Sequence, residues 1–172
     1  MKDILTQGLD QLGITPPPQA VDQLCRYAQL LVEKNKVMNL TAITDPEGIA
    51  RLHFLDSAAL LPLCGEIQGK SLIDVGTGAG FPGLVLKILC PELKLTLLDS
   101  LGKRVNWLDQ VARELDLKDV TCIHARAEEQ ALVKGWRDSF DLVTARAVAD
   151  LRLLSELCLP YAKVGGAFLS MK

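Results

Sequence analysis

The sequence has no uninterrupted apolar run of the roughly 18 to 20 residues that a membrane-spanning helix requires. Its first residues, Met1 to Gly13, carry Lys2, Asp3 and Asp10 instead of a basic stretch followed by an apolar one. From these absences neither a transmembrane helix nor a secretory leader is expected, and cytoplasmic residence is the expectation. There is no C-x-x-C pair: Cys25, Cys64, Cys90, Cys122 and Cys158 are separated by 39, 26, 32 and 36 positions. Such spacing excludes a zinc cluster, and no metal site is expected; the cysteines read as reduced, mostly buried small hydrophobes. There is no excess of positive charge either. The net charge of −2 gives no overall attraction to nucleic acid, so such a partner needs a local basic patch. Residues 1–69 hold five Lys/Arg against eight Asp/Glu, whereas residues 70–172 hold fourteen against thirteen, so a basic face belongs mainly to the second part.

What is present is a core. With 172 residues, 49% of them hydrophobic, and a mean hydropathy of +0.21, the chain has the makings of one globular domain, without repeats or low-complexity segments. Apolar spacing predicts helices over Lys2 to Leu12 and Gln19 to Asn35, the second with Val21, Leu24, Ala28, Leu31 and Val32 on one face. A third helix is predicted from Asp45, a capping residue followed by Pro46, to near Cys64 and Gly65. From Lys70 the period changes. Ser71–Val75, Leu95–Asp99, Val120–His124, Asp141–Ala145 and Ala167–Met171 read as five buried strands. Helices are predicted between them, at Pro82–Leu89, Lys103–Leu115, Glu128–Val133 and Leu151–Leu159. The expectation is therefore an α/β fold with a mostly parallel, doubly wound sheet in residues 70–172, a single compact unit preceded by a helical extension in residues 1–69.

The segment IDVGTGAGFPG, Ile73 to Gly83, joins a predicted strand to a predicted helix through four glycines. Such a turn lets backbone approach a ligand closely. Gly78, Gly80 and Gly83 satisfy G-x-G-x-x-G, and Asp99 lies where a ribose-binding carboxylate belongs, so a nicotinamide-dependent oxidoreductase is one reading. Asp74 argues for another. A carboxylate so close to the loop repels a pyrophosphate but favours the ammonium and sulfonium of S-adenosylmethionine.

IDVGTGAGFPGL, LLDSLGKR, ARAEE and TARAVADL, preceded by NKVMNLTAI and HFLDS, closely resemble the small-subunit ribosomal RNA methyltransferase G family, also called glucose-inhibited division protein B. The motifs follow the family's order over nearly the whole chain. The resemblance implies a class I, Rossmann-like methyltransferase fold and transfer of a methyl group from S-adenosylmethionine to guanine N7 of 16S rRNA. It implies that Gly76 and Phe81 line the methionine end of the cofactor, with Asp74 and Gly78 beside them, that Asp99 meets the ribose, and that Ala127 and Glu128 lie against the adenine. Arg146 matches the family's arginine beside the cofactor, and Arg126 and Lys172 match basic positions suited to rRNA. Lys103 and Arg104 are candidate rRNA contacts, and Asn39-Leu40-Thr41 with His53, Asp56 and Ser57 are implied to face the catalytic side.

Structural alternatives stand beside these roles. Asp99 can cap the next helix, Glu128 can be a solvated first-turn acid, Lys103 and Arg104 can form a solvated helix face, and His53 can pair along its helix with Asp56.

Guanine N7 carries a lone pair and no proton, so methyl transfer to it requires positioning and water exclusion, not a general base. Arg146 is the candidate donor to O6 of the base. The sequence has no N-P-P-Y or D-P-P-Y for an exocyclic amine and no Pro-Cys for a carbon-5 reaction. A non-catalytic rRNA-binding or assembly factor with the same fold remains an alternative. The family continues past the fifth strand with a helix and two strands, so here that strand is expected to leave an open sheet edge. A monomer is expected, or a dimer through that edge.

Overall fold

The structure is a computed structural model that describes residues 1–146 and 148–172; Ala147, inside TARAVADL, lies outside the described residues. Helices α1 (Lys2–Gln11) and α2 (Ala20–Met38) bury the stripe that the spacing predicts, with Leu24, Ala28 and Leu31 inside. The third predicted helix is broken into pieces: α3 (Pro46–Gly48), a π-helical stretch (Ile49–Leu55), α4 (Asp56–Ala58) and α5 (Leu61–Cys64). Asp45 does cap it, accepting from Gly48 N–H at 2.7 Å. The wider π turns carry His53 and Phe54 inward.

Five parallel strands follow: β1 (Ser71–Val75), β2 (Lys94–Asp99), β3 (Val120–His124), β4 (Phe140–Arg146) and β5 (Ala162–Met171). They lie in the order β3-β2-β1-β4-β5, with Ile73 level with Thr96 on one side and Val143 on the other. β5 runs longer than the apolar pattern indicates. Gly165 and Gly166 carry no strand signal, yet a Cβ on Gly166 would stand 2.8 Å from the Asp141 carbonyl, so a glycine is what lets β5 close on β4 through an irregular register. β5 is an edge of the sheet.

Side-chain alternation divides the core between two faces. Leu72, Leu95, Leu97 and Leu142 point to one face, covered by α1, α2, α6 (Gly83–Leu89) and α7 (Gly102–Glu114). Ile73, Val75, Leu98, Val143 and Ala145 point to the other, covered by α8 (Ala127–Gln130), α9 (Leu151–Cys158) and Tyr161. The N-terminal helices thus share one core with the sheet. All five cysteines are free, and among the described residues no helix is long and apolar enough to cross a membrane.

One polar group is set into the middle of this core. Asp74, 0% exposed, accepts from Thr77 Oγ1 at 2.7 Å, Gly83 N–H at 3.0 Å and Thr144 Oγ1 at 3.0 Å. Asp74, expected beside the cofactor, has its carboxylate beneath the glycine loop, where it joins β1, the loop, α6 and β4. Burial pushes its pKa up to about 7 against the pull of those three donors.

Two substitutions test this arrangement by urea unfolding. Asp74→Ala leaves buried donors without an acceptor and should cost about 2 to 4 kcal/mol. Asp74→Asn keeps acceptor and volume and should fold. A raised folded-state pKa means that the stability from Asp74 is full at acid pH and is lost as pH rises through about 7. The stability difference should therefore move in favour of Asp74→Asn between pH 5 and pH 8; a constant difference would contradict the buried-acid account.

Candidate functional site

In an open parallel sheet, ligands bind at the carboxyl ends of the strands where the strand order reverses. Here that point is between β1 and β4. A cavity of about 390 Å³ opens there, walled by the glycine loop, Phe81, Asp99, Arg104, His53 and Arg146. A second recess of about 160 Å³ shares Gly76, Ser100 and Val148 with the first and continues along Leu98, Ala127 and Leu157, past Arg126 and Glu128. The two together make a bent site, polar in one limb and largely apolar in the other.

The loop takes its shape from positive-φ glycines, Gly78 at +59° and Gly80 at +99°. A Cβ on Gly80 would run into the Tyr27 hydroxyl. That hydroxyl donates to the Ala79 carbonyl, and the Tyr27 ring packs 5.5 Å from Phe81, so α2 supports the loop from below. Asp99, 3% exposed, accepts from Gly78 N–H and Leu101 N–H, each at 2.9 Å. It therefore closes the turn just before α7, whose N-cap residue Leu101 carries no side-chain cap, and ties the loops after β1 and β2 together. Arg104 approaches it at 3.8 Å.

On the opposite wall, Arg146 at the end of β4 lies over the Phe81 ring at 4.8 Å. Its Nη2 donates to His53 Nδ1 at 3.0 Å, Nη1 reaches the Leu52 carbonyl at 3.4 Å, and Asp56 stands 3.8 Å away. His53 stacks on Phe81 at 4.5 Å, and its Nε2 is 2.8 Å from Thr41 Oγ1. His53 thus pairs across the cavity wall with Arg146 and Thr41, while Asp56 faces the arginine. Burial, and then the nearby Arg146 charge, push the His53 pKa down to about 4, so the ring is neutral near pH 7.

Of the residues singled out in the sequence, Gly76, Gly78, Phe81, Asp99, Arg104, Arg146 and His53 meet around the first cavity, and Arg126, Ala127 and Glu128 around the second. Arg126 Nε donates to Glu128 at 2.9 Å on an exposed rim. Asp74, Asp56 and Ser57 line neither cavity, and three further candidates also stand outside both. Asn39 is the exposed, left-handed end of α2, Lys103 is exposed on α7, and Lys172 follows β5. Asn35 was missed: its Oδ1 accepts from Leu40 and Thr41 N–H at 2.6 and 2.9 Å and holds the turn that brings Thr41 to the wall. Its only signal was a polar residue near the end of an apolar-striped helix.

The limbs suit S-adenosylmethionine. The Asp99 carboxylate belongs to the polar limb, one residue before Ser100, which both limbs share; the glycines allow close backbone approach, and Val75, Leu98, Ala127 and Leu157 give the recess its apolar lining.

Comparison with known proteins agrees with this geometry. The model of the rRNA small subunit methyltransferase G family (GidB) matches residues 20–172. A ribosomal RNA small subunit methyltransferase G of Acetivibrio thermocellus is 46% identical over 172 residues, covering 100% of this chain and 71% of the relative. One of Geobacillus thermodenitrificans is 51% identical over 164 residues, covering 95% and 69%. Among solved structures, a SAM-dependent methyltransferase of Aquifex aeolicus superposes with a TM-score of 0.52 at 23% identity, covering 77% of this chain and 67% of that one. A precorrin-6y C5,15-methyltransferase of Geobacter metallireducens gives 0.54 at 16% identity, covering 66% and 59%. The structural likenesses establish the class I methyltransferase fold, and the family match with the close relatives establishes that this chain belongs to the rRNA small subunit methyltransferase G family.

Proposed function

We propose that this chain methylates N7 of a guanine in 16S rRNA of the small subunit in the cytoplasm, with S-adenosylmethionine as donor. Family membership supports the rRNA substrate and the cofactor. The observation that carries the choice of N7 is the state of the polar groups around the cavity. His53 is neutral, with both ring nitrogens engaged and a pKa near 4, and Asp99 has both oxygens engaged by backbone N–H groups. The cavity's histidine is therefore not poised to take a proton, and an N7 lone pair has none to give.

The cofactor, when bound, supplies an electrophilic methyl on a sulfonium. The chain's own residues then have to hold and exclude. Gly76 and Phe81 shape the limb where the methyl would be presented, and Asp99 and Glu128 face positions suited to the ribose and the adenine rim. Phe81, His53 and the Leu52 carbonyl hold the Arg146 guanidinium in one orientation, so its remaining N–H groups can be offered to guanine O6 without being ordered first. Arg104 and Arg126 line the cavities and suit phosphate contacts, and Lys103, Asn39 and Lys172, outside both linings, are further candidates for the RNA. With a net charge of −2, this local patch has to carry the electrostatic attraction.

Calorimetric titration should show saturable binding of S-adenosylhomocysteine and none of NADH; the reverse pattern would make the protein a dinucleotide enzyme. Tritium from the methyl donor should enter 16S rRNA or the small subunit at a guanine N7, read by strand cleavage at the modified base. Arg146→Ala should lower transfer by about 100-fold while the protein still unfolds cooperatively; transfer at the normal rate would remove Arg146 from the site. RNA affinity should fall steeply between 50 and 200 mM salt, at least 10-fold for a few neutralised phosphates; a flat response would exclude phosphate-led docking.

A further inference from the structure

We propose that Thr41 is a ligand-binding residue whose hydroxyl proton is directed into the cavity, toward an oxygen acceptor of the bound ligand. The proposal rests on the methyltransferase reading above. A guanidinium can only donate, so where Arg146 Nη2 meets His53 Nδ1 at 3.0 Å, the histidine nitrogen has to accept. The proton of a neutral ring then sits on Nε2. That nitrogen faces Thr41 Oγ1 at 2.8 Å and therefore donates to it. Thr41 Oγ1 also accepts from the Ile43 N–H at 3.0 Å. A hydroxyl has two lone pairs and one proton, and here both lone pairs are taken.

The proton is left to point elsewhere. Among the described residues no acceptor for it lies within hydrogen-bond distance, and Thr41 is part of the cavity wall. Asn35 holds the Thr41 backbone, accepting from its N–H and donating to its carbonyl, both at 2.9 Å, while the His53 and Ile43 contacts hold the hydroxyl oxygen. The opposite tautomer would set an imidazole N–H against an arginine N–H. An imidazolium is disfavoured by burial and by the Arg146 charge. Arg146 thus sets the direction of a hydroxyl it does not touch.

The imidazole ring stands between the two donors, so they cannot meet adjacent atoms of one base edge. Two oxygen sources fit the Thr41 proton: a ribose or phosphate oxygen of the RNA, or the carboxylate of the cofactor's amino-acid end.

The test has two arms. First, nitrogen-15 spectra of histidine-labelled protein near pH 7 should show His53 as the Nε2–H tautomer. The chain has two histidines, and His124→Gln leaves His53 as the single signal. The Nδ1–H tautomer or a protonated ring would overturn the proposal. Second, Thr41→Val is compared with Thr41→Ser, which keeps the hydroxyl. If the acceptor is on the RNA, Thr41→Val raises KM for 16S rRNA about 5- to 20-fold and leaves S-adenosylhomocysteine affinity unchanged. If the acceptor is the cofactor carboxylate, S-adenosylhomocysteine affinity falls by the same factor, whereas methylthioadenosine, which lacks the amino-acid end, binds as before. In both cases Thr41→Ser stays within about 2-fold of the unsubstituted chain. Unchanged affinity and KM in Thr41→Val, or equal losses for methylthioadenosine and S-adenosylhomocysteine, would overturn it. An unsubstituted chain that neither binds nor transfers would fail the methyltransferase reading and take the Thr41 assignment with it; the tautomer result stands apart and shows which of the two has failed.

Discussion

Asp74, next to last in β1, has no exposed surface, and its three hydrogen bonds run to three different parts of the cavity floor: Thr77 in the loop, Gly83 at the start of α6, and Thr144 on β4. A carboxyl group is costly to bury unless every oxygen is satisfied. Satisfying this one fixes the distance between the two central strands and the angle at which the chain leaves β1. A Cβ on Gly83 would stand 2.9 Å from the Asp74 oxygen, so that glycine is there to let helix and carboxylate meet. The shape of the glycine loop therefore depends on a buried group that lines neither cavity.

The N-terminal helices complete what the sheet begins. A Rossmann-like sheet offers a crevice at its switch point, but one side of this crevice is built by α2 and the π-helical stretch. Tyr27 braces the loop from below, and His53 and Leu52 hold Arg146 from the side. The same residues that bury the aromatic group around Phe81 thus orient the cation of the cavity, so packing and site geometry are hard to vary separately.

The chain spans 71% and 69% of the lengths of the two relatives described, and its last strand, β5, is a sheet edge. The switch point has β1, β2 and β3 on one side and β4 and β5 on the other, so β4 alone separates it from that edge. Every residue lining the cavities comes from β1, β2, β4, the segments that follow the strands, the π-helical stretch, or the turn after α2 that holds Leu40 and Thr41.

Much of the fold was legible from local pattern. The apolar runs at Ser71–Val75 and Val120–His124 have the bounds found in the structure, and Asp45, Pro46 and the glycine loop mark the turns they form. Propensity, capping and periodicity act over a few residues, and a sequence records them directly. The motifs also determined the family, and with it the candidate cofactor residues. The sequence did not show that Asp74 lies beneath the loop, that His53 turns to Arg146 instead of Asp56, or that Asn35 and Thr41 share a hydrogen-bonded chain with them. Arg146 and His53 are 93 positions apart, and Thr144 and Asp74 are 70 apart. No local rule couples such pairs. Their partners were decided only when the sheet closed and burial left each polar group with whatever donor or acceptor the fold had brought within reach.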